Sequence, residues 1–387
     1  MSIPEAIKGA QAELAGVRSP LARVQRLAVY ARIFAAELFG TVLAVPFGVR
    51  AYALHRSLPD ARAAAGRAGT VSILRDVRYG ARCRNVLDIY LPPNVQLPGS
   101  GDLLNCWTTA SGADWHEGAG TAAGSAGTDA AAGADAGGSG GGAGGAAGFQ
   151  AGGSGGEGGA AWAKAGGAPV VLLCHGGVWA SGSKWHYAPL AARLAQAGVV
   201  TAVMQYSLYP QALVPQMVAE VSRALTWTMD AAPQLGGDAQ KLSLVGHSAG
   251  AHVCTMALLH RALAASKAGN GPTTSAPPAV AAGGGDGSGA AAAAARSSQQ
   301  LQRGAAPTAG GADAPMGDAE EAAAYADVRM PARLVGVAGV YDIGKHYEYE
   351  EARHVHKLST MERAIGGNHR FPAFSPAVIL ANALRLD

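Results

Sequence analysis

The sequence predicts an α/β protein, a mostly parallel sheet covered by helices on both faces, and three observations carry that reading. Short runs rich in β-branched residues and leucine recur: "APVVLLC" (168–174), "VVTAVMQYSLYP" (199–210), "KLSLVG" (241–246) and "ARLVGVAGVYD" (332–342). Continuous apolar runs of this length read as strands buried on both faces. Segments of helical spacing alternate with them, which is the pattern of a parallel sheet. Two glycine-rich turns, at 175–177 and 246–250, follow directly on buried strands. In such sheets the reacting groups gather at the carboxyl ends of the strands.

The elements follow in order. "LAVYARIFAAELFGTVLAVPFGV" (27–49) is apolar over 23 residues apart from Arg32 and Glu37, long enough to cross a bilayer. Two charges near its middle and Pro46 weaken a spanning reading, so an amphipathic helix packed on the domain or lying on a membrane surface stands beside it. No small-residue cleavage site follows a short apolar core, which argues against a removed signal peptide. Arginines flank both sides (Arg23, Arg26, Arg50, Arg56), so charge asymmetry gives no orientation. "TVSILRDVRYG" (70–80) and "NVLDIYLPP" (85–93) alternate and are closely spaced, which predicts an antiparallel pair at a sheet edge. "KWHYAPLAARLAQAG" (184–198) predicts a helix closed at Gly198, and "VPQMVAEVSRALTWTM" (214–229) a helix with Met217, Val221 and Leu225 on one face. A further helix is expected from 249 to about 263.

Composition sets the organisation. Residues 108–168 are almost wholly Gly, Ala, Ser and Thr, and 264–327 are Ala, Gly, Pro and Ser with scattered charges. Such stretches bury too little apolar surface to offset the entropy of ordering, so both are expected to be disordered insertions in loops. The expected division is an N-terminal membrane-associated or amphipathic region, 1–68, and one domain, 69–387, interrupted by those inserts. The net charge of +3 excludes little, but before residue 83 there are twelve Lys/Arg and five Asp/Glu. With no basic run, no aromatic–basic interleaving and no zinc-finger spacing, nucleic acid is not an expected partner. Cys83, Cys106, Cys174 and Cys254 form no CxxC pair, so reduced structural thiols are expected and no metal or organic cofactor is implied.

The chemistry rests on the two glycine turns. "Gly246-His247-Ser248-Ala249-Gly250" is G-x-S-x-G between a buried strand and an apolar helix. That pattern lets a serine hydroxyl project from a strained strand-to-helix turn, with Ser248 as nucleophile. Attack on an ester makes an oxyanion that needs preorganised N–H donors. The N–H of Ala249 is one candidate, and the loop Gly176-Gly177-Val178 supplies the others, an HGGG-type loop with Val178 in place of a third glycine.

With these residues in view, "HGGVW", "GSK", "QYSLYPQ", "LGGD" and "GHSAGAH" together resemble the α/β-hydrolase esterases that include isoprenylcysteine methylesterases and arylformamidases. The stretch "GVYDIGKHYEYEEARHVHKLSTMERAIGG…FSPAV" (339–378) is similar to the methylesterase branch. The resemblance covers about 70–92, 169–263 and 332–378. It implies a small-molecule or lipidated-cysteine ester substrate, a carboxyl-methylated prenylcysteine above all, and membrane association at the endoplasmic reticulum or Golgi, with a cytoplasmic location as the alternative. An arylformamidase-like amide hydrolase and a non-catalytic prenyl-binding module are the rivals. Trp179, Trp185, Tyr206 and Tyr209 are candidates for an apolar substrate wall, and the oligomeric state is open.

The family takes its catalytic acid and histidine from two strands that follow the Ser-Pro. Eleven residues follow Pro376, too few for two strands, so a C-terminally shortened chain is expected, with those positions absent. His252 shares a helix with Ser248 and reads as a core residue. His346, His354, His356 and His369 read as solvated or substrate-facing, and Asp342 and Asp238 as structural.

Overall fold

A computed structural model describes residues 14–62, 69–93, 166–267 and 323–384, with residues 11, 95 and 269 besides. The bulk of the two low-complexity stretches lies outside the described residues. Among the described residues six strands form one sheet: β1 (Ser72–Arg78), β2 (Val86–Leu91), β3 (Ala168–Cys174), β4 (Val200–Met204), β5 (Gly237–His247) and β6 (Arg333–Val337), in the order β1-β2-β4-β3-β5-β6. β1 and β2 pair antiparallel, and β2 joins β4 antiparallel. The remaining strands run parallel. This is the edge hairpin and parallel body expected from the alternation of apolar runs.

The helices are α1 (Pro20–Ser57), α2 (Ala188–Gln196), α3 (Val214–Ala231), α4 (Ala249–Lys267), α5 (Ile343–Ala352), α6 (Met361–Ile365) and α7 (Pro376–Ala383). α2 packs on one sheet face, where Ala188, Ala191 and Ala195 meet Ile73, Tyr90, Leu173 and Val203. α3 and α4 cover the other face, where Met217, Val221, Leu225, Val253 and Met256 meet Leu172, Leu242 and Leu244. Alanine on the first face lets the backbone approach closely, and branched and thioether side chains fill the second.

Boundaries differ from expectation in several places, and β6, expected to be buried on both faces, stops at Val337 and is exposed along its length. The segment from 184 opens as a 3₁₀ turn, Lys184–Tyr187, and turns α-helical only at Ala188, where Pro189 suits the first turn. β4 stops at Met204, and "QYSLYP" runs on as loop through a cis Tyr209-Pro210 bond. The second low-complexity stretch is narrower than expected at both ends. α4 continues to Lys267 with Ala265 buried, and Ala324 and Tyr325 return to the core, where the Ala324 carbonyl accepts from Ser222 Oγ at 2.7 Å.

Register positions the site. Cys174, Met204 and Gly246 line up at the carboxyl ends of β3, β4 and β5, and His247 pairs with Val337 of β6. The turns that follow β3 and β5 therefore emerge side by side.

Candidate active site

Ser248 occupies the sharp turn between β5 and α4 with φ 53, a left-handed backbone on a non-glycine residue. Its N–H donates to the Val337 carbonyl at 2.8 Å, which fixes the elbow to β6. Glycine is required on both sides by space. A Cβ on Gly246 would come within 2.5 Å of Ala251 Cα, and one on Gly250 would run into the carbonyl oxygens of Cys174 and His175. The strained serine is held because strand and helix cross at close range on either side of it.

The glycine turn after β3 lies against this elbow. A Cβ on Gly176 would stand 2.8 Å from the His247 carbonyl and 3.0 Å from Ser248 Cβ. Gly177, Val178 and Trp179 then take φ 131, 48 and 61. The Gly177 carbonyl closes the turn by accepting from the N–H groups of Ala180 and Ser181, and the Val178 carbonyl accepts from Thr360 Oγ1 at 2.6 Å. Ala249 is buried at the start of α4, where a helix offers unpaired N–H groups. Gly176 differs from expectation as a donor. Its N–H goes to Tyr187 Oη at 3.2 Å, so Gly176 supplies room beside Ser248, while Gly177, Val178 and Ala249 stay the candidate donors.

The aromatic candidates divide. Trp179 is 2% exposed, with Nε1–H donating to His252 Nδ1 at 3.2 Å. Tyr206 is fully buried, stacks on His175 at 4.6 Å and donates its hydroxyl to the His175 carbonyl. Both are framework under the glycine loop and form no substrate wall. Trp185 is half-buried and meets Tyr52 of α1 edge-on at 5.5 Å. Tyr209, also half-buried, lies under the Arg363 guanidinium and donates its N–H to the Trp179 carbonyl.

The histidines near the elbow are committed elsewhere. His252 is a core residue, as expected: Nδ1 accepts from Trp179 and Nε2–H donates to the Phe374 carbonyl at 2.8 Å. Burial pushes its pKa down to about 4. His175 donates Nδ1–H to the Gly176 carbonyl at 2.8 Å, and burial brings it too down to about 4. His247 Nδ1 lies 2.9 Å from Tyr187 Oη. Among the described residues no imidazole is hydrogen-bonded to Ser248 Oγ. His354 and His369 are exposed and His346 half-buried, in line with a solvated cap, but His356 is buried edge-on against Tyr347 at 5.3 Å. Asp342 caps α5 by accepting from the Lys345 N–H, and Asp238 accepts from Gln240 N–H in its turn. Among the described residues no group of His, Cys, Asp or Glu is placed to hold a metal.

Sequence reasoning passed over Tyr187 and the buried ionic cluster beside it. Lys184 Nζ lies 2.9 Å from Asp88 Oδ1 and 2.7 Å from Asp76 Oδ1, and His55 Nε2 lies 2.8 Å from Asp88 Oδ2. Burial alone would raise the Asp88 carboxyl; the Lys184 ammonium and the bonds from His55 and the Asp76 N–H outweigh it and hold the group below its usual range. A lysine before an aromatic run and an aspartate in an alternating strand give no local sign of meeting, because the pairing is set by the sheet.

Parts of the chain are similar to known proteins. Residues 161–275 match the BD-FAE family model. A protein of Oryza sativa subsp. japonica, named a probable isoprenylcysteine alpha-carbonyl methylesterase, is 36% identical over 110 residues, 28% of this chain and 26% of the relative. A kynurenine formamidase of Danio rerio is 37% identical over 90 residues, 23% of this chain and 29% of the relative. The chain thus spans about a quarter of the length of the curated relatives it matches. Esterase B of Lactobacillus rhamnosis aligns over 91% of this chain and 72% of its own, with a TM-score of 0.44 and 13% identity. In its strand order, its glycine-flanked Ser248 elbow and the match over residues 161–275, the chain is similar to α/β-hydrolase esterases.

Proposed function

We propose that this protein is a serine carboxylic ester hydrolase acting on the methyl ester of a prenylated cysteine, held at a membrane by its N-terminal helix. The observation that carries the reading is the left-handed Ser248 wedged against Gly176, with Gly177, Val178 and Ala249 beside it. Ser248 Oγ would attack the ester carbonyl and pass its proton to an acceptor, and the N–H groups of the two turns would stabilise the oxyanion that forms. Methanol then leaves and water releases the acid from Ser248. The methylesterase relatives support the substrate class, and the apolar α1 supports a lipidated one.

The formamidase relative favours a second reading, hydrolysis of a formylated aromatic amine by the same serine. The test offers the 387-residue chain, with free imidazole present as the proton acceptor, both compounds and a soluble methyl ester as control, and follows methanol or formate release. Ser248-dependent release of methanol from the prenylcysteine ester, faster than from the soluble ester, is the expected result. Faster formate release would favour the second reading. Tight prenylcysteine binding with no turnover of either compound would make the protein a binding module.

A further inference from the structure

Helix α1 carries an apolar stretch that the described residues leave uncovered. Leu38, Phe39, Val42, Phe47 and Val49 are each more than half exposed, along one half of the helix circumference. An exposed apolar face of this size calls for something to cover it. Five arginines (Arg23, Arg26, Arg32, Arg50, Arg56) share the helix with a single acid, Glu37. That balance matches a surface of anionic headgroups.

Length alone would let α1 cross a bilayer, but its two anchors oppose that. Near one end Tyr30 is 3% exposed and packs with Leu358, flanked by Phe34. Near the other, Ala51 is buried, Tyr52 meets Trp185, and His55 bonds Asp88. Tyr30 and Tyr52 are about 33 Å apart at the helical rise, close to the roughly 30 Å of a hydrocarbon core. An upright helix would put them at opposite faces of the membrane. The domain that grips both would then have to cross the hydrocarbon alongside it, with polar backbone exposed to lipid.

Both anchors also adjoin the site. Leu358 lies two residues before Thr360, which bonds the Val178 carbonyl. Trp185 lies two residues before Tyr187, which bonds Gly176 and His247. We infer that α1 lies in the plane of an anionic membrane, with its apolar middle at the headgroup–acyl boundary, and that the face of the domain bearing Ser248 is turned toward the lipid. This rests on the membrane part of the proposed function and specifies the surface and its orientation.

The test uses the full chain with Cys83→Ser and Cys106→Ser, made in a cell-free system with sealed vesicles of phosphatidylcholine and phosphatidylserine. Leu21→Cys, Val42→Cys or Ser57→Cys is added one at a time. The chain is expected to float with these vesicles, several-fold less with phosphatidylcholine alone. An impermeant maleimide added outside should label Leu21→Cys and Ser57→Cys to the same extent. A fluorophore on Val42→Cys should be quenched about twofold more by a nitroxide near the headgroup than by one at the acyl terminus. Labelling of one end only after detergent would overturn the inference in favour of a span. Failure to float on any vesicle would overturn it too, and dimerisation in place of flotation, abolished by Phe39→Asp with Phe47→Asp, would assign the face to a second copy. None of these readouts involves Ser248 chemistry. A chain that lies flat yet hydrolyses no ester would keep this inference and lose the catalytic one.

Discussion

Tyr187 Oη joins Gly176 to His247: it accepts the Gly176 N–H at 3.2 Å and lies 2.9 Å from His247 Nδ1. One hydroxyl thereby ties the glycine turn after β3 to the residue preceding Ser248. Removing it leaves a half-buried N–H without a partner. Tyr187→Phe is expected to cost about 1–2 kcal/mol by urea denaturation and to speed hydrogen exchange at the Gly176 amide. Unchanged exchange at Gly176 would show that the contact does not hold the loop.

Val178 sits at φ 48, and a branched side chain is strained there. Its side chain is 46% exposed, so little burial is lost on removing it. The strain relieved by Val178→Gly, about 1–2 kcal/mol, competes with about 1 kcal/mol of added freedom in the unfolded chain. The variant is expected to be as stable as the parent or up to about 1 kcal/mol more so. A fall in melting temperature would mean that the Val178 side chain packs usefully.

The contrast between β-strands and site residues shows what the sequence makes legible. Strands buried on both faces carry their signal locally, so "APVVLLC" is β3 residue for residue, and the small residues around Ser248 announce a turn that only small residues fit. Tyr187, Asp88 and Lys184 carry no such signal. Their partners lie across the sheet, and an aromatic near a motif reads the same whether it faces ligand, as expected of Trp179 and Tyr206, or fills the core, as both do. Gly176 looked like a donor because its N–H partner is a hydroxyl eleven residues away.

Asp88 is the common partner of His55, Lys184 and the Asp76 N–H, and it is fully buried. Asp88→Ala strands the Lys184 ammonium beside Asp76 alone and frees the end of α1. A loss of about 3–5 kcal/mol is expected, the usual cost of breaking a buried ion pair from one side. Trypsin should then cut first at Arg56 or Arg62, read by mass spectrometry. First cleavage elsewhere would show that α1 is held without the cluster.

His175 and His252 set the acid limit. Both have folded pKa values depressed by burial to about 4, below the usual histidine value near 6.5. The unfolded chain therefore binds more protons between those values. Stability is full above about pH 6.5 and falls as pH drops toward 4, by up to roughly 3 kcal/mol for each residue. Urea midpoints at pH 7, 6 and 5 should decline, and the decline should be shallower in His252→Asn. A flat profile would mean that one or both imidazoles reach water.

The last prediction concerns the proton on Ser248. The Ser248 elbow and the glycine turn after β3 lie side by side, but His252 is engaged by Trp179 and Phe374, His175 by the Gly176 carbonyl, and His247 by Tyr187. A serine with no acceptor beside it stays a neutral alcohol, and oxyanion donors act only once attack has begun. The 387-residue chain is therefore expected to label slowly with a fluorophosphonate. Free imidazole, small enough to enter beside an exposed turn, should raise the rate by about tenfold or more by taking the proton. The gain should follow the fraction of neutral imidazole as pH is raised, and Ser248→Ala should abolish labelling with or without it. Rapid stoichiometric labelling in the absence of imidazole, lost in Ser248→Ala, would show that a base already reaches the hydroxyl. Alanine substitutions at His247, His346, His354, His356 and His369 would then identify it, since His252 is held on both nitrogens. An imidazole effect that survives Ser248→Ala would place the reactive group elsewhere and remove Ser248 from the chemistry altogether.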